Sequence, residues 1–226
     1  MMTDWSVIIK GMPRVAAAHR EEYAEARRDQ ILEAALRIFA EKGFAETTMD
    51  EVAADAHLAK GSLYLYFPTK EELLRKLLGR FTLLPDLPQI MESIRELPPP
   101  AGIPKLVAQI WRRFADRKEL ARVVVREIHS NAKRARLFNE EVGLRAYRLV
   151  ADYLAKWMKR GELRRADPLA MAQCLIGMLW FFLLSQELMS GKEIHPLSDN
   201  AIGRMVSELF LEGAGPRSTA RPRKTK

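Results

Sequence analysis

The sequence predicts an all-α protein in which a small N-terminal helical module precedes a larger helical domain. Almost every segment carries apolar residues at helical spacing, and there is little of the period-two alternation that is typical of strands. A chain of 226 residues is also long enough for a small module joined to a larger one, since domains commonly run about 50–200 residues. The elements below are taken in chain order.

The composition indicates a soluble globular protein, with 48% hydrophobic and 29% charged residues. The formal net charge of +8 would suggest an acidic partner such as nucleic acid. However, five of the basic residues lie in the C-terminal tail, whereas residues 21–80 are rich in acids. A single cysteine, Cys174, rules out an internal disulfide framework and is compatible with a reducing cytoplasm. The net charge therefore does not by itself indicate DNA binding, which has to be inferred from local geometry.

The first strong helix is predicted over residues 22–42, and Gly43 is placed to end it. Thr48 and Glu51 form a capping-box pattern that starts a short helix ending near residue 56. The helical stripe of residues 22–42 consists of Ile31, Ala34, Ala35, Ile38 and Phe39.

A second short helix fits residues 60–67, and a further helix begins at Lys70 with acids in its first turn. Beyond residue 81 prolines interrupt the pattern, and glycines 161, 191 and 213 stand where helices are expected to stop. The larger helices are predicted over residues 103–116, 118–131, 134–160, 168–190 and 198–212.

Residues 48–70 thus form a helix, a tight turn and a second helix, the geometry that lets a helix enter the DNA major groove. Leu63 and Phe67 are four residues apart and anchor one face of the second helix to the core. The opposite face offers a glycine, a hydroxyl, an aliphatic group and a phenol, which suit contacts with bases and phosphates. The candidate DNA-binding residues are Thr48, Lys60, Gly61, Ser62, Tyr64, Leu65, Tyr66 and Lys70.

Two residues of this set have specific expected roles, and one is ambiguous. Lys70 is placed at a helix start, where its charge and free backbone N–H groups suit a phosphate, and Lys60 adds a second ionic contact. Tyr64 lies at the edge of the apolar face, so that core packing explains it nearly as well as DNA binding. A helical corner that only packs is the alternative for the whole segment, but it does not explain an exposed Leu65 and Tyr66.

Residues 47–53, 59–67 and 70–73 resemble the signature of the TetR family, and the resemblance covers residues 24–75. It implies a cytoplasmic homodimer, usually a repressor, that binds a palindromic operator and releases it on binding a ligand. His57 stands in the turn where the family commonly has glycine, and histidine tolerates a positive φ better than most residues. Ala59 replaces a frequent serine and so removes a possible helix cap.

The expected domains are an N-terminal arm, a three-helix helix-turn-helix DNA-binding domain, a ligand-binding and dimerisation domain, and a basic disordered tail. Their predicted limits are residues 1–20, 21–72, 73–213 and 214–226.

Residues 168–184 are apolar around the whole helix circumference, so both sides need cover. A second copy of the chain supplies that cover, and we expect a homodimer built through residues 168–212. Placing both helices inside a monomer core is the alternative. A membrane span is not expected, because the run is shorter than about 20 residues and contains Gln173.

The resemblance also implies a ligand cavity, for which the sequence offers aromatic and titratable candidates. They favour an apolar or aromatic effector, or a cationic one if Glu127 contributes. Ordinary core packing explains the same residues. The candidates are Trp111, Phe114, Glu127, His129, Phe138, Tyr147 and Trp180.

An enzyme is not expected, because the four histidines are scattered and neither metal-ligand spacing nor a glycine-rich phosphate loop is present. We accordingly predict no catalytic residue, no metal site and no cofactor. The remaining alternative to a ligand-released regulator is a DNA-bound structural or protein-recruiting factor of the same fold that has no ligand switch. A connected cavity within residues 103–190 would favour the regulator.

Overall fold

The computed structural model describes residues 17–216, apart from the side chains of residues 17–20, 81 and 130. Within this range the regular structure is entirely helical, which confirms the all-α prediction. Most of the predicted N-terminal arm and of the predicted basic tail lies outside the described residues. The chain divides into two compact units, of which the first ends at Leu74 and the second begins at Arg75. The sequence placed the division between residues 72 and 73.

The first unit contains three helices and the start of a fourth. Gly43, with φ of 87°, ends the first helix at the predicted place, and its N–H donates to the Phe39 carbonyl at 3.0 Å. The fully buried side chains that form the core include Ile31, Phe39, Val52, Leu63 and Leu73. The helices are α1 (Ala17–Lys42), α2 (Met49–Asp55), α3 (Lys60–Tyr66) and α4 (Lys70–Phe81).

The second unit is a larger helical bundle in which α9 packs on α10 and α12 packs on α6. Two short π-helical segments continue α8 and α10, at Asn139–Gly143 and Leu184–Leu188. The helices are α5 (Leu87–Ile94), α6 (Pro99–Ala115), α7 (Lys118–Ser130), α8 (Ala132–Phe138), α9 (Leu144–Lys159), α10 (Pro168–Leu183), α11 (Gly191–Ile194) and α12 (Asp199–Ala214).

Prolines account for two departures from the predicted helices. Pro88 lies in the first turn of α5, a helix that the sequence analysis did not predict because it took the prolines after residue 81 as breaks. Pro99 and Pro100 likewise lie in the first turn of α6, so this helix begins four residues earlier than expected. A first-turn backbone N–H has no partner within the helix, and proline therefore costs nothing there.

The three glycines expected to end helices behave differently. Gly161 adopts φ of 78° just after α9, as predicted. At the second position the left-handed residue is Ser190, with φ of 56°, and Gly191 instead begins α11. Gly213 lies within α12, which continues to Ala214.

One segment of the described chain, Pro168–Leu188, is long and apolar enough to cross a membrane by length and composition, with 21 residues and a mean hydropathy of 1.8. The expectation that this run is too short was therefore wrong, because the π-helical segment extends it. The polar residues at its C-terminal end contact other parts of the protein. The buried Gln186 accepts a hydrogen bond from the Leu197 N–H at 3.1 Å, and Glu187 pairs with Lys118 at 2.7 Å. Only 33% of the segment is buried.

Candidate nucleic-acid interface and ligand cavity

A capping box holds the start of α2. The Thr48 hydroxyl accepts from the Glu51 N–H at 3.2 Å, and the Glu51 carboxylate accepts from the Thr48 N–H at 2.8 Å. Lys42 on α1 lies 2.5 Å from the same carboxylate. Lys42 and then Thr48 lower the pKa of Glu51 to about 2, so the carboxylate stays ionised and the box stays closed at neutral pH.

The turn between α2 and α3 depends on His57, which adopts φ of 52° in the position where the family pattern has glycine. The α1 residue Gln30 donates from Nε2 to the Ala56 carbonyl at 2.8 Å, which satisfies an acceptor at the end of α2. Ala59 precedes α3 without a side-chain cap, as its replacement of serine implies. These contacts fix the residue at which α3 begins and the direction of the helix after the turn.

Helix α3 buries one face and leaves the other uncovered within the first unit. Leu63 and Phe67 are 0% and 2% exposed, whereas Tyr64 and Leu65 are 40% and 57% exposed. Gly61 is exposed beside them. The outward face is thus centred on Gly61, Tyr64 and Leu65, which moves Tyr64 from the ambiguous edge to the surface.

The flanks of α3 are partly covered. Ser62 and Tyr66 are both half-buried. The guanidinium of Arg28, on α1, lies 6.0 Å from the centre of the Tyr66 ring. Arg28 was missed by the sequence analysis, although a paired Arg27 and Arg28 in an otherwise acid-rich stretch was a usable signal. Its position beside α3 makes it a further candidate for a phosphate contact.

The two lysines predicted to bind phosphate differ in their surroundings. Lys60 pairs with Asp50 at 2.8 Å, and both side chains are more than half exposed, so the pair can readily be exchanged for another contact. Lys70, by contrast, donates to the carbonyls of Phe44, Ala45 and Thr47 at 2.6, 3.1 and 2.7 Å. An ammonium has three donors, and all are used here. A phosphate contact by Lys70 would have to replace one of these bonds, and it stays a prediction.

A cavity of about 140 Å³ lies within the second unit. Four of the predicted ligand-binding aromatics line it: Phe114, Phe138, Tyr147 and Trp180. Phe114 and Trp180 pack edge to face with ring centres 5.8 Å apart. Burial raises the pKa of Tyr147, so its phenol is neutral and can donate a hydrogen bond.

The other three predicted ligand-binding residues lie outside this lining, which corrects the sequence analysis. Trp111 borders a separate groove between α6 and α12. The buried Glu127 carboxylate pairs with Arg134 at 2.7 Å. His129 is exposed, and its Nδ1 lies 2.9 Å from the Val125 carbonyl oxygen. Aromatic and titratable residues at helical spacing cannot reveal which helix face meets a cavity.

Two arginines that the sequence analysis missed also line the cavity. Arg113 Nε lies 3.3 Å from one oxygen of Asp86, and Arg117 Nη2 lies 2.7 Å from the other. Arg117 also donates from Nη1 to the Thr82 carbonyl at 2.6 Å. Asp86 is about 30 residues away in sequence, so no local pattern pointed to this cluster. Within residues 17–216 no group of histidine, cysteine and acidic side chains is arranged to hold a metal ion.

Two family models match the chain. The model described as bacterial regulatory proteins, tetR family, matches residues 31–77, which contain α2 and α3. The model described as AefR-like transcriptional repressor, C-terminal domain, matches residues 108–210. The chain belongs to the TetR family. The matched families are transcriptional regulators, and no enzyme family is indicated.

Similar proteins agree with this TetR-family assignment. The uncharacterized HTH-type transcriptional regulator YerO of Bacillus subtilis is 29% identical over 103 residues, which are 45% of this chain and 36% of YerO. The fatty acid degradation regulator FadR of Bacillus halodurans has a TM-score of 0.69 and 25% identity, with 83% of this chain and 95% of FadR covered. FadR of Bacillus subtilis, solved in complex with stearoyl-CoA, shares the fold with a TM-score of 0.69, 22% identity and coverage of 81% and 97%.

Proposed function

We propose that this TetR-family protein is a cytoplasmic homodimeric repressor that binds a palindromic operator through α3. A small apolar or aromatic effector in the cavity of the second unit releases the operator. The observation that carries the proposal is the uncovered face of α3, where Tyr64 and Leu65 are exposed opposite the buried Leu63 and Phe67. Exposed aromatic and aliphatic groups on one short helix favour an external partner.

The composition of this face suits a DNA groove. Leu65 can pack on a thymine methyl, and the Tyr64 hydroxyl can reach a base edge or a phosphate. Gly61 has open space around the position that a Cβ would occupy, so the fold of the free protein does not require glycine there. A glycine permits close approach of the backbone to DNA. Lys60, Ser62, Tyr66 and Thr48 border the same face, and for Lys70 we propose a positioning role on the α1–α2 turn.

The dimer interface is proposed for α10 and α12. The exposed residues of α10 include Ala170, Cys174, Gly177 and Phe181, which follow one another at helical spacing. Phe181 is 63% exposed, and Leu209 on α12 is 57% exposed. A second copy of the chain would cover both, in an isologous interface between the same helices of each subunit.

The cavity supports an effector of about the size of one aromatic ring in its present shape. Its volume of about 140 Å³ is close to that of engineered apolar cavities of roughly 150 Å³ that bind benzene. The stearoyl-CoA bound by FadR of Bacillus subtilis is far larger. A long chain would require side chains of the cavity to move.

The proposed coupling runs along α4. This helix begins at Lys70 in the first unit and ends at Phe81, directly before Thr82 and Leu83, which line the cavity. Two recognition helices must lie about 34–36 Å apart to serve successive major grooves. A coupling free energy of about 1–3 kcal/mol between effector and operator is sufficient for release.

The test begins by selecting operators from a random DNA pool with the purified protein and measuring their affinity by fluorescence anisotropy. We expect a palindromic site, and we expect Leu65→Ala to weaken binding while Ile194→Ala, an equally conservative change at a residue that is 82% exposed in the second unit, has no effect. Binding without sequence preference would contradict the proposal.

The same assay, repeated with a library of aromatic and short-chain compounds, tests the effector. We expect at least one compound to bind the protein and lower operator affinity, and to bind the operator-bound protein correspondingly more weakly. Equal compound affinity with and without operator would instead favour a DNA-bound structural or protein-recruiting factor.

A further inference from the structure

We infer that the effector carries an anionic group, and that Arg113 and Arg117 bind this group in competition with Asp86. The inference rests on the proposed function, since it takes the cavity as the effector site. It adds the charge of the effector and the residues that recognise that charge.

The lining of the cavity is mostly apolar, and its charged side chains lie close together. The only charged side chains among the described residues that line it are Arg113 and Arg117. Both are mostly buried, with 31% and 28% of the side chain exposed. The attraction between charges is stronger in such surroundings than in water. A ligand that fills the cavity therefore meets an almost wholly apolar wall, to which the side chains of Arg113 and Arg117 also contribute.

Asp86 neutralises only part of this positive charge. Its two oxygens lie 3.3 Å from Arg113 Nε and 2.7 Å from Arg117 Nη2, so one carboxylate is shared between two guanidinium groups. The cluster of two cations and one anion keeps a net charge of +1. A monoanion neutralises this charge. A cationic effector, which was the alternative if Glu127 contributed to the site, would be repelled.

The two arginines also have the donors that a second carboxylate needs. Each guanidinium has five N–H donors in a planar fork that matches carboxylate geometry. Asp86 engages one nitrogen of each arginine, and the Thr82 carbonyl engages one more nitrogen of Arg117 at 2.6 Å. A ligand anion can therefore bind beside Asp86, or it can displace Asp86 and keep the same donors.

Displacement would link recognition to release. Thr82 and Asp86 belong to the segment that directly follows α4, and Arg117 holds both of them. An anion that draws Arg117 away loosens the attachment of this segment to the start of α7. The charge of the effector then changes the anchoring of α4, which an uncharged ligand of the same shape does not do.

The experiment compares matched acids and amides as probes. We would measure the binding of octanoate, octanamide, 4-phenylbutyrate and 4-phenylbutyramide to the full chain by calorimetry and by tryptophan fluorescence, to which Trp180 in the cavity contributes. We expect each acid to bind about tenfold more tightly than its amide, since charge-assisted hydrogen bonds are about twice as strong as neutral ones. Octanoyl-CoA is a further probe, because its anionic charges lie on phosphates and not on the acyl carbon.

Three variants and a control test which residues cause the preference for acids over amides. Arg113→Gln and Arg117→Gln should each reduce the acid-to-amide ratio to near unity while amide affinity stays constant. Asp86→Asn should raise the ratio severalfold, because it removes the internal competitor. The control is Arg112→Gln, an exposed neighbour that lines a different groove, and it should leave the ratio unchanged.

The outcomes separate this inference from the proposed function. If acids and amides bind equally, or if the preference survives both arginine changes, the inference is wrong, and a ligand-released regulator stands. If the binding of octanoyl-CoA depends on Arg113 and Arg117 and the binding of octanoate does not, the anionic group is a phosphate. The inference then holds, with a phosphate as the anion. If no probe binds even to Asp86→Asn, the inference is wrong, whereas the proposal of operator binding through α3 is unaffected.

Discussion

At the scale of single residues, α3 contains a glycine that the fold itself does not need. Gly61 lies within a helix, and a Cβ added there would meet nothing within 4 Å. Glycine in a helix interior costs about 0.5–1 kcal/mol relative to alanine. We therefore propose that glycine is present at this position because a binding partner comes close to the backbone of α3.

Gly61→Ala is therefore expected to stabilise the protein and to weaken operator binding. The free energy of unfolding should rise by about 0.5–1 kcal/mol in urea titrations, while operator affinity falls in anisotropy measurements. Gly79→Ala is the matched control, because it is also a helical position with nothing within 4 Å, and it should stabilise without changing affinity. Unchanged operator affinity for Gly61→Ala would mean that DNA does not approach this position closely.

A second residue-scale prediction separates the roles of the two lysines. Lys70→Met should lower the free energy of unfolding by about 1.5–3 kcal/mol, because it removes a charged donor from the carbonyls of Phe44, Ala45 and Thr47. Lys60→Gln should hardly change stability, since its pair with Asp50 is exposed. It should lower the slope of log affinity against log salt by about one unit.

Urea titrations and salt-dependent anisotropy of both variants test this assignment. A Lys70→Met protein of unchanged stability whose salt slope falls by one unit would place the Lys70 ammonium on a phosphate, and would remove its positioning role.

At the scale of helices, a side chain of α9 holds the segment in which α6 begins. The Tyr153 hydroxyl donates to the Leu97 carbonyl at 2.9 Å, just before α6 begins. Gly102, on α6, provides the space for that hydroxyl, since a Cβ at this position would overlap it. Burial raises the pKa of Tyr153 to about 12, which keeps the donor protonated. One small residue and one phenol therefore form this contact at the start of α6.

The pair predicts a compensating double substitution. Gly102→Ala should destabilise the protein by about 1–3 kcal/mol through overpacking. Tyr153→Phe in the same chain should recover part of this loss, because the oxygen that clashes is gone. A double-mutant cycle of unfolding free energies measures the interaction. Additive effects of the two changes would show that the hydroxyl is not what Gly102 accommodates.

At the scale of the whole molecule, the uncovered apolar surface lies on α10 and α12. Only 33% of Pro168–Leu188 is buried within one chain, although its mean hydropathy is 1.8. Phe181 is 63% exposed. An apolar surface of this kind favours a subunit interface. The proposed binding of a palindromic operator depends on this subunit interface, because such an operator requires two copies of α3.

The dimer predicts that light scattering of the wild-type protein at micromolar concentration gives twice the 25.8 kDa chain mass. Phe181→Glu should yield monomers that keep their helical content but bind the operator poorly. Ala101→Glu introduces the same charge at an exposed residue of α6 outside residues 168–212, and it should leave the dimer intact. A wild-type monomer would contradict both the dimer and the palindromic site.

Features that depend on neighbouring residues can be predicted from the sequence alone. The capping box of Thr48 and Glu51 and the end of α1 at Gly43 follow from local chemistry, whereas the positive φ of His57 is what the family resemblance implies. The structure has each of them. The burial of Leu63 and Phe67 follows from their spacing on one helix. These features are short in range, so their signal lies within a few residues of the chain.

Contacts between groups that are distant in sequence depend on how the chain folds. The three carbonyls that hold Lys70 lie 23 to 26 residues away, and Asp86 reaches Arg113 and Arg117 from before α5. Of the predicted ligand-binding residues, Phe114, Phe138, Tyr147 and Trp180 line the cavity, whereas Trp111, Glu127 and His129 do not. Helical spacing shows which residues share a face. Which face meets a cavity, a carbonyl or an ion partner depends on how the helices pack, and that arrangement is a property of the assembled core.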